Sequence, residues 1–389
     1  MPQRVQGLQS LIKNLVIHIG DPKNGSSSIQ KTLAEALWQS EHRTVRLSRN
    51  RNEVALGKAM RKNAGPGEKA KRFPELAEWA HAEEADYGVI SSEFLTRAKP
   101  REFKDALDQY LPEFADSCRI VAYVRPHADR FVSTYAQRVK MGLFVQDMAP
   151  LFDTMGADRF LTYHKRFTRW RSVFGERFVL RPFVREGLRD QDVVSDFLHI
   201  VLEGEPFTLQ QADNVNQSLG VRQIAGMRVF QNTLITEGVP KVLRTIIGGA
   251  VGYSVGHVPG AKDEKLALDR SLMEQVDRRF RADARQTDDT FFDSPWLENA
   301  LDRSLEKARP EPQSTQPLDH LTSGKIKEIE QVAKDCVTRA EGTPKIWRAV
   351  NSVLRGYVDP QEAENLNANQ RHARDRAVVL CEQAARLIA

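Results

Sequence analysis

Four short apolar runs mark the first half of the chain, each ending on glycine, proline or a polar cluster: NLVIHIG (14–20), YGVISSEFL (87–95), CRIVAYVRP (118–126) and RFVLRPF (177–183). Their length and β-branched content predict strands buried on both faces. Between them, apolar residues recur at helical spacing in IQKTLAEALWQS, FKDALDQYLPEF and HADRFVSTYAQRVKMG. Strand–helix alternation predicts an α/β fold, a parallel sheet with helices on both faces. In such sheets ligands collect at the carboxyl ends of the strands, where the polar clusters of the four runs would lie.

From 219 to about 308 the pattern is mostly helical. ARPEPQSTQP (308–317) is proline-rich and reads as a linker. Beyond it, two or three amphipathic helices run to Ala389, with a turn at GTP (342–344). The expected organisation is an α/β domain over 14–307, a linker over 308–318, and a helical C-terminal extension over 319–389 that packs on the domain or on a partner. The apolar stretch IIGGAVGYSVGHVPG (246–260) is too short to span a bilayer. Its Gly248, Gly252 and Gly256 recur every four residues, which suits close packing in a helix or turn, or else a loop lining a substrate pocket.

A length of 389 residues allows one large domain with an appendage, or two domains. A hydrophobic fraction of 41% and a charged fraction of 28% are ordinary for a globular protein. The net charge of +5 favours anionic partners mildly. That charge is unevenly spread: residues 43–72 hold ten Lys or Arg against two Glu, and Pro66 between glycines interrupts any helix there. The stretch reads either as a solvated face or as a collar attracting an acidic substrate. Nucleic acid is disfavoured, because no stacking aromatic occurs there. Cys118, Cys336 and Cys381 are too dispersed for a disulfide framework or a zinc site. Together with an N-terminus lacking a signal-peptide pattern, they predict a cytoplasmic protein without a transmembrane segment.

The chemistry concentrates in HIGDPKNGSSSIQKTL (18–33). Gly20 and Gly25 have the spacing of a nucleoside-triphosphate loop, yet Ser26 and Ser27 stand where its lysine and hydroxyl residue belong. The loop's lysine is Lys23, two residues ahead of the second glycine. Strand, glycine-bounded loop and helix still make an anion site, since backbone N–H groups and a helix N-terminus converge there.

VIHIGDPKNGSSSIQ resembles the 5′-phosphosulfate loop of sulfotransferases that use 3′-phosphoadenosine 5′-phosphosulfate (PAPS). YVRPHADRFVSTY is similar to their 3′-phosphate motif, an arginine at a strand end and a serine eight residues on, here Arg125 and Ser133. LRPFVREGLRDQDVVSDFLHIVLEG and NVNQSLG also resemble bacterial members, notably those acting on carbohydrates, so the likeness covers roughly residues 14–305. It implies a P-loop-type sheet, PAPS as donor with adenosine 3′,5′-bisphosphate as product, no metal, and a carbohydrate or glycolipid acceptor. Lys23 would meet the negative charge that grows on the bridging oxygen as the S–O bond breaks. Asn24, Gly25, Ser26, Ser27 and Ser28 would cradle the 5′-phosphate, and Arg125 with Ser133 the 3′-phosphate. Pro126 departs from many members, in which Asp or Asn precedes the proline.

For the base that takes the acceptor's proton, Glu93 at the second strand end is the candidate, against a role in capping a helix or pairing with Arg97. His18 reads as a packed core residue and His127 as a neighbour of the nucleotide. Arg181 stands where it could contact nucleotide or acceptor, and Asn216 and Ser218 match a family motif without an assigned role. Two other classes share these features: a P-loop kinase or nucleotidase, disfavoured by the missing lysine after Gly25, and an inactive adaptor using the basic surface and helical tail.

Overall fold

The four apolar runs form four strands of one five-stranded parallel sheet. The computed structural model describes residues 11–61, 67–155, 161–210, 218–260, 263–338, 343–355 and 366–389. In chain order the strands are β1 (Ile12–His18), β2 (Trp38–Gln39), β3 (Val45–Leu47), β4 (Ala85–Ser91), β5 (Arg119–Val124), β6 (Phe178–Pro182) and β7 (Thr208–Leu209). The sheet order is β3–β4–β1–β5–β6, and β2 pairs with β7 as a separate antiparallel ribbon. The helices are α1 (Ser26–Ala34), α2 (Val54–Ala59), α3 (Glu68–Ala82), α4 (Pro100–Tyr110), α5 (Pro112–Ala115), α6 (His127–Lys140), α7 (Met148–Met155), α8 (His164–Phe174) and α9 (Val193–Val201). They continue as α10 (Val221–Thr236), α11 (Lys241–Val255), α12 (Arg270–Phe291), α13 (Trp296–Glu306), α14 (Pro317–His320), α15 (Ser323–Thr338) and α16 (Pro344–Leu354), followed by a C-terminal helix Ala368–Ile388.

Two compact units make up the chain. The first comprises Met1–His127, Asp158–Val215 and Arg278–Arg303. Its sheet is covered on both faces. On one face Val16, Val89 and Tyr123 meet Ile29 of α1 and Phe197 of α9. On the other, the aromatic rings of α4 and α8 run toward β6: Phe103 meets Trp170 edge-on (5.8 Å) and Trp170 stacks on Phe178 (6.4 Å). The chain leaves β1 toward β3 and leaves β5 toward β6, in opposite directions. The crevice between β1 and β5 is therefore the switch point at which open α/β sheets bind ligands.

The second unit comprises Ala128–Ala157, Asn216–Asp277 and Ser304–Ala389 and is helical. Within it α10 packs against α15, and α11 against α16 and the C-terminal helix. The glycine-rich stretch begins inside α11 and runs past its end at Val255, and Gly248 and Gly252 lie in the helix at close contacts, in keeping with the packing reading. A Cβ on Gly248 would lie 2.0 Å from both Lys140 O and Gln231 Nε2, and one on Gly252 would lie 2.5 Å from the Lys140 side chain. Gly248→Ala is therefore expected to cost about 1–3 kcal/mol through overpacking, read as a lower midpoint in urea unfolding.

Two expectations change. The proline-rich stretch is packed rather than free: Arg309 N donates to Leu268 O (3.0 Å), and the buried Thr315 hydroxyl bonds Asp147 (2.8 Å) and Tyr135 (3.0 Å). Trp38 and Gln39, at the end of an expected helix, instead pair with Leu209 and Thr208. The basic stretch contains β3, α2 and the start of α3; Pro66 lies outside the described residues, as do Asn216 and the first residue of the expected GTP turn. Among the described residues no helix is long and apolar enough to cross a membrane.

Candidate active site

The loop after β1 turns through two left-handed residues, Lys23 (φ 74°) and Gly25 (φ 82°). For lysine this backbone region is costly and must be imposed by surroundings. Here it is: Asn24, buried between them, donates from Nδ2 to Tyr123 O of β5 (2.6 Å), and Arg125 Nη1 donates to Lys23 O (3.2 Å). Gly25 packs so tightly that a Cβ would lie 2.8 Å from Val193 Cγ1 and 2.9 Å from Phe183 Cε2. As N-cap of α1 it offers no side-chain cap, leaving the helix N-terminus with the partial positive charge that attracts anions. The lysine side chain is exposed, Ser27 exposed, and Ser26 buried with its hydroxyl donating to Glu93 Oε1. The chain thus brings Lys23, Asn24, Gly25, Ser26, Glu93 and Arg125 to the carboxyl end of the sheet, around the β1–β5 switch point.

Three supporting contacts escape a reading of the sequence. Asp21 is 1% exposed and held by Arg166 of α8 through two bonds (3.0 and 2.6 Å) and by Thr96 Oγ1 (2.9 Å). A carboxylate inside an anion loop would repel its ligand unless neutralised, so its position next to Gly20 was the one available signal that a distant cation must exist. Tyr163 Oη donates to Arg125 O (2.8 Å), fixing the backbone beside Pro126. Asp283 of α12 in turn accepts from Tyr163 N (2.7 Å) and His164 N (3.1 Å) and bonds His127 Nε2 (3.1 Å).

The histidines and Arg181 are structural. His18 is fully buried, with Nδ1 on Ser91 Oγ (2.9 Å); burial drops its pKa to about 4. His127 is also fully buried, stacked on Phe280 (5.1 Å), and burial outweighs Asp283 in lowering its pKa. Both are neutral at pH 7, and His127 lines no open site. Arg181 grips Asp196 through Nε (3.0 Å) and Nη2 (2.6 Å) and also bonds Gly187 O (2.9 Å), while Tyr123 Oη shares Asp196 (2.8 Å). Its guanidinium anchors α9 to the sheet, and the side chain is one-third exposed. Ser133 lies on α6 in the second unit, half-buried; three residues earlier on the same helix, Arg130 is buried with Nε and Nη1 lacking hydrogen-bond partners. Among the described residues no cluster of three or more His, Cys, Asp or Glu could hold a metal ion.

No family profile matches the chain, and no curated protein matches it. Among solved structures, a sulfotransferase from Alicyclobacillus acidocaldarius is similar, at 14% identity over 74% of this chain and 98% of that one, with a TM-score of 0.42. At that degree of overlap no residue of one chain can be set against a residue of the other.

Proposed function

We propose that the protein moves a sulfuryl group from PAPS to a hydroxyl of an acceptor, a carbohydrate or glycoconjugate by the sequence resemblance. The observation that carries this reading is the junction of Lys23 and Arg125: the lysine stands ahead of Gly25 on a left-handed turn, and Arg125 holds that turn by its carbonyl. A donor with no γ-phosphate gives a lysine placed after the second glycine nothing to hold, whereas one placed ahead can reach the oxygen between phosphate and sulfate. The uncapped N-terminus of α1 and the glycine-only packing at Gly25 suit close approach of a 5′-phosphate. PAPS supplies an activated sulfuryl group. The acceptor oxygen forms its bond to sulfur as the bond from sulfur to the phosphate oxygen breaks. Glu93 takes the acceptor's proton, Lys23 meets the leaving oxygen's charge, and Asp21, neutralised by Arg166, adds no repulsion.

Incubation with ³⁵S-labelled PAPS and separated glycan and lipid fractions tests the reading by following the label; turnover of ATP with Mg²⁺ in its place would favour a kinase. For the 3′-phosphate we assign Arg125. Arg125→Ala is expected to weaken adenosine 3′,5′-bisphosphate binding by about 2–4 kcal/mol, the loss of a charge-assisted contact to a doubly charged group. Calorimetry measures it, and unchanged affinity would remove Arg125 from the donor site.

A further inference from the structure

Beside the edge strand β3 the first unit opens a groove of about 1040 Å³. The β2–β7 ribbon forms part of its wall, tied by Ser40 Oγ to Pro206 O (3.0 Å) and by Gln210 N to Leu37 O (3.0 Å). Trp38 and Phe207 line it with half-buried rings whose inner edges pack on the core. Its charged lining is one-sided: His42, Arg43, Arg46, Arg49 and Arg51 against Glu41 alone.

The carboxylates behind these arginines hold them loosely. Arg43 lies 3.9 Å from Asp86 and 3.8 Å from Glu205, Arg46 lies 3.8 Å from Glu83, and Arg49 lies 3.4 Å from Glu78. All are longer than a charge-assisted hydrogen bond, and exposed pairs of this kind contribute little. Asp86 is already served by Lys13 Nζ (2.9 Å) and by the backbone and hydroxyl of Thr44 (3.0 Å each). An incoming anion can therefore take over Arg43, Arg46 and Arg49 with little lost.

The groove's lining runs along β3, from Arg43 ahead of the strand to Arg49 and Arg51 beyond its carboxyl end. The loop bearing Arg51 is fastened to the strand end preceding Glu93: Ser48 N donates to Val89 O (2.9 Å), Glu53 N to Ser91 O (2.8 Å), and Ser92 Oγ to Glu53 O (2.7 Å). We infer that the groove binds an anionic carbohydrate chain, the acceptor of the reaction proposed above, on which this inference rests. Apolar faces of the sugar rings lie against Trp38 and Phe207, while carboxylate or sulfate substituents meet the three arginines.

Calorimetric titration with an oligogalacturonate, a neutral malto-oligosaccharide of the same length and a single-stranded oligodeoxynucleotide tests it. The expected result is that oligogalacturonate binds at least ~10-fold tighter than the neutral chain and loses affinity as salt rises. Arg43→Ala/Arg49→Ala should weaken it at least ~10-fold while leaving bisphosphate affinity unchanged. Equal binding of the neutral chain, full affinity in the double variant, or tighter binding of the oligonucleotide overturns the assignment. Bisphosphate binding without oligogalacturonate binding sinks the groove alone. Arginine-dependent oligogalacturonate binding without bisphosphate binding keeps the groove and sinks the donor reading.

Discussion

Lys23→Ala is expected to transfer sulfate at least ~100-fold more slowly than the wild type while still binding adenosine 3′,5′-bisphosphate. In the proposed reaction the ammonium meets a charge larger in the transition state than in the ground state, so its loss should fall on kcat more than on KM. The fold should survive the change. Alanine bears the same Cβ at φ 74° as lysine, and the contacts that impose the turn, Asn24 on Tyr123 O and Arg125 on the residue-23 carbonyl, use no atom of the lysine side chain. Steady-state rates with saturating PAPS, alongside calorimetry with the bisphosphate, separate the two effects. Near-normal turnover in the variant would mean that the lysine's unusual place has another purpose.

Legibility in the sequence followed burial. β1, β4 and β5 are largely buried on both faces and β6 on one, so their apolar runs stand out without context. β3 hides because it is three residues long at the sheet edge with Arg46 in its middle, and its strand character comes from pairing with β4. Trp38 and Gln39 have helical spacing to their neighbours, yet pairing with residues 208 and 209 overrides it. Pro74 would argue against a helix, but α3 continues through it.

The site divides the same way. Lys23, Gly25, Glu93 and Arg125 sit at the ends of legible strands, so topology alone brings them near one another. Arg166 and Asp283 are 145 and 156 residues from Asp21 and His127, and both lie within helices whose surface charges look alike in sequence. Only packing decides which of them turns inward. Arg181 shows the converse: a strand-end arginine looks unpartnered in the sequence, whereas Asp196, fifteen residues on, takes its Nε and Nη2.

Glu93→Gln is expected to lower kcat by roughly 10²–10⁴-fold, the range for removal of a general base. Its position supports a proton-taking role. The half-buried carboxylate stands against the first residue of α1, accepting from the Ser26 hydroxyl, and its strand end is the one to which the arginine-bearing loop is fastened. Glutamine keeps an oxygen that can accept from Ser26, so loop geometry and bisphosphate affinity should persist. What it cannot do is receive the acceptor's proton. The acidic limb of the rate profile, which reports ionisation of the base, should vanish with the carboxylate. A purely structural Glu93 predicts the opposite pattern: a slightly lower melting temperature, near-normal kcat and an intact acidic limb. Measuring kcat against pH for both proteins, with a melting curve for each, distinguishes them. If the acidic limb is retained, the histidines are poor replacements, since His18 and His127 are both sealed in the interior. Asp21 fares no better, because its two oxygens are committed to Arg166 and Thr96. A failed Glu93 test would therefore point to a base carried by the acceptor itself, such as the carboxylate of an acidic sugar.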